Sequence, residues 1–191
     1  MKRFLLSIFI LAAAVAVATG CSKERRWNEK ERRELRKEIK AYRDMVYLDN
    51  LAEIEFDAFS GDVVEAIEID YPVYTTFIEL PGRGDTVEVY VVSMIVNELQ
   101  TDAHNMRNIY PYPWLVAQGI LPAGLDRQAQ RAFYECFARK VNNYFSSTAA
   151  FFDAVVSDTA PDMAITNMQL QCAADLFDWG LEIDETVIIG D

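Results

Sequence analysis

The sequence predicts an α+β fold, mostly helical with a small antiparallel sheet; an all-α fold is the alternative. Three observations carry this. Apolar residues recur at helical spacing before residue 50 and again beyond residue 98. Between them, residues 63–96 are dense in β-branched and aromatic residues around a Pro-Gly turn. The composition, 51% apolar and 25% charged over 191 residues, is that of a globular chain able to bury one core.

In chain order, Asn28 suits the cap of a first helix, with Glu31 three residues on. Leu35, Ile39, Tyr42 and Val46 carry its apolar stripe to about Leu48. Asp49-Asn50 is a possible break, and residues 51–59 suit a second short helix. Ile67, Ile69 and Tyr71 then alternate with Glu68 and Asp70, and Val73 to Leu80 is β-rich. Pro81-Gly82-Arg83-Gly84-Asp85 is a turn signal, and Thr86 to Val96 is again dense in Val and Ile. These segments read as a β-hairpin. The competing reading is a helix starting at Asp85, with Glu88 completing a capping box. A lone hairpin is marginal, so a further strand or a covering helix is needed, and Thr186 to Ile189 is a candidate edge strand.

Helices return at Leu99 to Asn108. Tyr110-Pro111-Tyr112-Pro113-Trp114 reads as a rigid loop leading into a short turn ended by Gly119. Leu121-Pro122-Ala123-Gly124 is a connector. Asp126 caps a helix to about Phe145 that buries Ala129, Phe133, Cys136, Phe137 and Val141. Ser147 caps the next, with Phe151, Phe152 and Val155 inward. Pro161 separates it from a last helix, roughly Met163 to Trp179. No internal repeat is present.

The first twenty residues read as an address rather than as fold. Lys2 and Arg3 precede an apolar run, Phe4 to Ala18, too short for a comfortable membrane span. It ends Ala18-Thr19-Gly20-Cys21, which resembles a bacterial lipobox: cleavage before Cys21, then acylation of its thiol. The other reading is an ordinary signal peptide followed by a chance Cys. The expected organisation is a lipoprotein signal peptide over 1–20, lipidated Cys21 and a short tether over 21–27, and one globular domain over 28–191.

Charge is unevenly placed. The net charge of −12 and pI near 4.5 argue against a nucleic-acid partner. Residues 22–43 hold ten Lys and Arg against five Glu, whereas residues 44–191 hold six against 25 acidic residues. The basic stretch next to Cys21 either rests on anionic headgroups or is a solvated helix face of mixed charge.

No reaction is spelled out. His104 is the only histidine, which removes most imidazole and zinc chemistry, and no catalytic residue, metal site or cofactor is expected. Cys136 and Cys172 either pair as a disulfide, adding on the order of 3 kcal/mol, or stay as buried free thiols. Tyr110, Tyr112 and Trp114 are the best candidate binding patch. Such an aromatic shelf stacks sugar rings or meets a partner protein, or else pins the loop to the core. Arg83-Gly84-Asp85 matches an adhesion tripeptide, but such a turn commonly arises for its geometry alone, and that is the reading taken. Glu53/Glu55/Asp57, Glu68/Asp70 and Glu182/Asp184/Glu185 are carboxylate groups that read first as acidic surface.

The lipobox, the small acidic domain and the segments YPYPWLVAQGILPAGL and RAFYECFARKVNNYF together resemble uncharacterised lipoproteins of Bacteroidota, over most of the mature chain. The resemblance implies placement in the cell envelope and carries over no functional residues. Surface-exported lipoproteins of that group carry an acidic run after the Cys. Ser22-Lys23-Glu24-Arg25-Arg26 is basic instead, which favours the periplasmic face of the expected outer-membrane anchor, with surface exposure as the alternative. Asp85-Thr86-Val87 and Asp158-Thr159-Ala160 are similar to the group's O-glycosylation site, making Thr86 and Thr159 candidates.

The functional expectation is a lipid-anchored cell-envelope protein that binds an envelope protein or glycan. The alternatives are an envelope hydrolase using paired carboxylates and a structural spacer.

Overall fold

Asn28 starts the first helix: its side chain accepts from the backbone N–H groups of Lys30 and Glu31. From there the chain, described over residues 24–180 in a computed structural model, is built of helices. They are α1 (Glu29–Ile39), α2 (Glu53–Asp70), α3 (Tyr74–Ile78), α4 (Arg83–Thr101), α5 (Tyr112–Ala117), α6 (Arg127–Tyr144), α7 (Thr148–Val156) and α8 (Asp162–Phe177), with 3-10 turns at Lys40–Tyr42 and Ala103–Asn108. Among the described residues, the β pairing is one isolated bridge, Arg26 to Val73. The helical part of the expectation stands, and the architecture fits the all-α alternative rather than α+β.

The expected hairpin is helix. Residues 63–70 are the second half of α2, and Thr86 to Val96 lies inside α4. The buried residues of α4 are Val87, Val91, Ile95 and Leu99, each four apart. Those of α2 include Phe56, Phe59, Val63 and Ile67. Spacings of three and four make one helix face, whereas a strand needs two. Ile69, on the apolar side of the supposed strand, is 71% exposed. β-Branched content is a weak preference, and burial against neighbouring helices overrides it. Gly82 does turn the chain, at φ +70°, but it leads from α3 into α4, which starts at Arg83 rather than Asp85. The candidate edge strand Thr186–Ile189 lies outside the described residues.

The first helix also stops earlier than its apolar stripe suggests. It ends at Ile39, tightens into the 3-10 turn and gives way to turns through residue 51. Arg43 closes this stretch. Its guanidinium donates to the backbone carbonyls of Leu48 and Leu51 and lies 4.7 Å over the Phe56 ring. What reads as a short helix after Asn50 is the start of the long α2. The caps at Asp126 and Ser147 form as expected, accepting from the N–H groups of Ala129 and Ala150.

α2 packs against both α1 and α4, and α6 packs against both α8 and the Ala103–Asn108 turn. α4 reaches α7 and joins the two groups. A continuous hydrophobic cluster runs through both, with Phe56, Phe59 and Phe77 at one side and Phe133, Phe137 and Phe152 at the other. None of the described helices is long and apolar enough to cross a membrane.

Residues 25–27, expected as tether, are part of the packed structure. Trp27 is 7% exposed, stacks edge-on against Tyr74 at 5.0 Å and donates its indole N–H to the Tyr71 carbonyl at 2.7 Å. The Arg25 N–H donates to Thr75 Oγ1 at 2.9 Å.

Candidate functional site

The aromatic loop is split by its prolines into a latch and a shelf. Pro111 is extended and precedes α5, which opens with Tyr112-Pro113-Trp114. Tyr112 is the latch. Its hydroxyl donates to the Pro122 carbonyl and accepts from the Leu125 N–H, both at 2.9 Å. That fixes the connector and removes Tyr112 from the expected binding patch. Tyr110 and Trp114 form the shelf, with ring centroids 5.8 Å apart. α6 supports Tyr110 twice. Phe137 meets its ring edge-on at 5.6 Å, and the Tyr134 hydroxyl donates to its carbonyl at 2.8 Å.

Facing the shelf is α8. Asp162, Ile165, Thr166 and Gln169 share one face of that helix and, with Tyr110, Trp114, Gln118 and Ile120, line a pocket of about 390 Å³. That size lies within the range of small-ligand sites, about 300–1,000 Å³. The shelf is open, with Trp114 44% exposed, and Gln169 at the other extreme is 1% exposed. Gln169 Nε2 is buried with no hydrogen-bond partner among the described residues. Burial and the Asp162 charge push the Tyr110 phenol up to about 12, so it stays neutral and protonated at physiological pH. Trp179 is near the rim, donating its indole N–H to the Gly119 carbonyl at 3.1 Å. Among the described residues the pocket lining contains a carboxylate, two amides, and the hydroxyls of Thr166 and Tyr110 beside apolar surface, and no Lys, Arg or His. It is suited to hold a neutral polar ligand.

Cys136 on α6 and Cys172 on α8 are bonded, with Cα atoms 5.9 Å apart. The bond ties the pocket's α8 wall to the helix beneath Tyr110.

A second groove, about 360 Å³, runs between α2, α4 and the Ala103–Asn108 turn. Glu98 lines it and receives the Tyr47 hydroxyl. Burial raises the Glu98 carboxyl above its usual range, the Tyr47 bond opposes this, and the charges of Asp62 and Glu55 add to it. Glu55 is paired with Arg107 at 2.9 Å.

Cys21 and Glu182/Asp184/Glu185 lie outside the described residues. Glu53 pairs with Lys40 at 3.7 Å, Glu68 with Arg32 at 2.7 Å, and Asp70 accepts from the Tyr90 hydroxyl. Arg83 of the adhesion-like tripeptide is held by Glu38 at 2.7 Å. Thr86 sits in the first turn of α4, half-buried rather than on a loop, whereas Thr159 is exposed between α7 and α8. His104 is half-buried edge-on to Tyr134 at 5.5 Å, and burial lowers its pKa. No group of His, Cys, Asp or Glu among the described residues is arranged to hold a metal.

Sequence reasoning found the shelf but not its partner wall. Asp162, Thr166 and Gln169 show only as polar positions on a helix, and their spacing is that of any exposed face. Compared with protein-family models, curated proteins and solved structures, the chain matches none.

Proposed function

We propose that this protein is a lipid-anchored component of the cell envelope that works by binding, and that the pocket between Trp114 and Gln169 is where it binds. The observation that carries the reading is the pairing of an open aromatic residue with a buried amide nitrogen, Gln169 Nε2, that has no partner among the described residues. The exposed face of the Trp114 ring and the unmatched Gln169 donor add no folding stability, and a ligand would use both. The Cys136–Cys172 bond supports an oxidising compartment outside the cytoplasm. The charged–apolar–small order of residues 1–20 before Cys21 supports the anchor.

Anchoring through Cys21 also orients the domain. Four peptide units separate Cys21 from Arg25, which is fixed to Thr75. They span at most about 14 Å, so the α1 and α3 end faces the membrane.

The test has two parts. Intact mass of the mature chain is expected to show acyl groups on Cys21, and Cys21→Ser is expected to move the protein out of the membrane fraction. A tagged pull-down from native membranes in mild detergent then compares wild type with Trp114→Ala. A protein or glycan retained by wild type and lost from a folded Trp114→Ala supports the reading. Identical recoveries would remove the pocket from it.

The Glu98 groove favours a second reading, an envelope hydrolase using Glu98 and a neighbouring carboxylate. Release of reducing ends from envelope polysaccharide, abolished by Glu98→Gln, would establish it.

A further inference from the structure

We infer that the ligand of the Trp114 pocket is an uncharged saccharide, an inference that rests on the binding reading above. The pocket walls differ in character. The α5 side presents the open indole of Trp114 beside Tyr110; the α8 side presents Asp162, Thr166 and Gln169. A ligand matching both has an apolar face and a polar edge.

The charges exclude the acidic ligands. Among the described residues no Lys, Arg or His lines the pocket, and Asp162 is exposed in it. Residues 44–191 carry a large acidic excess, so an anion approaches against repulsion.

Gln169 excludes two further classes. Its Nε2 is a buried donor without an acceptor among the described residues, and a buried donor left unmatched costs free energy that an incoming acceptor restores. An ammonium group would satisfy the aromatic rings and Asp162 but has no lone pair for Gln169. An alkyl chain has none either. A sugar hydroxyl both donates and accepts. Once a small side-chain shift opens the buried Gln169 Nε2 to the pocket, such groups on one ring accept from it and donate to the Asp162 carboxylate, while the ring's C–H face lies on the Trp114 indole.

The experiment uses the full chain in mild detergent and isothermal titration calorimetry. The probes are short oligosaccharides of glucose, of galactose and of N-acetylglucosamine, with glucuronic acid as the anionic probe and choline as the cationic one. An uncharged sugar is expected to bind, and Trp114→Ala is expected to weaken it roughly ten-fold or more. Gln169→Leu keeps the volume and removes the donor. It is expected to weaken sugar binding about five-fold while leaving the melting temperature equal to wild type or higher, a combination that a merely structural glutamine would not produce. If choline or glucuronic acid binds best in a Trp114-dependent way, the saccharide assignment fails and the binding site stands. If the pull-down partner depends on Trp114 and proves to be a protein, with no sugar bound, the same holds. If neither a probe nor a partner depends on Trp114, both readings fail.

Discussion

Cys172 lies three residues beyond Gln169 on α8, and its bond to Cys136 joins the helix that floors the pocket to the helix that supports Tyr110. One covalent link therefore bears on both walls. Phe137, next to Cys136, is the ring against which Tyr110 rests, so α6 is the common support of shelf and floor.

Breaking that link has a measurable cost. The bond closes a loop 36 residues long, and removing it with Cys136→Ala and Cys172→Ala together is expected to cost about 3 kcal/mol. For a chain of this size that lowers the melting temperature by roughly 6–12 °C. A reductant should lower the wild type by a similar amount and leave the double variant unchanged. Two titratable thiols in the folded wild type would show that the bond does not form.

Val89 reports whether residues 86–96 are helix. It is 62% exposed in the interior of α4. In an exposed helix position Val→Ala removes a β-branched side chain and stabilises by about 0.5 kcal/mol; in a strand the same change destabilises. Denaturant unfolding of Val89→Ala is expected to show a small gain. A loss would restore the hairpin.

Glu98 makes stability depend on pH in a defined direction. Its folded-state pKa is raised, chiefly by burial, so the protein favours the protonated form. Its contribution is fully present below the unfolded value and is lost as pH rises through the folded one. Glu98→Gln keeps an acceptor for the Tyr47 hydroxyl and removes the charge. The variant is expected to melt above wild type at pH 7, with the difference gone below about pH 4, where an ordinary glutamate is protonated. A constant offset across pH would mean that Glu98 does not titrate as described.

The basic N-terminal segment is less available to a membrane than its composition suggests. Arg32 is taken by Glu68 and Glu29, Lys40 by Glu53, and Arg43 by backbone carbonyls. Arg33, Arg36 and Lys37 are exposed on α1 with no ion pair among the described residues. Residues 22–191 are therefore expected to bind vesicles containing anionic lipid weakly at low salt, and to release near physiological ionic strength. Arg33→Glu with Lys37→Glu should abolish the binding. Equal binding to neutral vesicles would rule out the electrostatic contact.

Local patterns made several parts of the molecule readable. The caps at Asn28, Asp126 and Ser147 lie where the polar residue precedes a helical stripe, because a cap is a contact between neighbours in sequence. The same holds for Gly119, whose φ of +72° ends the short turn after Trp114. The aromatic shelf was legible because prolines isolate it.

Residues 63–96 were not legible in that way. Their β-branched and aromatic residues satisfy period two and period four alike over short runs, so sequence alone left hairpin and helix both open. Burial decided between them: Val87, Val91, Ile95 and Leu99 face α2 and the core on one side of α4. The pocket was hidden for the same reason. Trp114 and Gln169 are 55 positions apart in the chain, and no local signal relates them. The sequence by itself determined the caps, the shelf and the acidic body, since each is a property of adjacent residues or of composition. Only the tertiary structure decided the all-helical packing of the described chain, the tie between α6 and α8, and the amide set beneath the aromatic shelf, because each depends on which distant helices share a buried face.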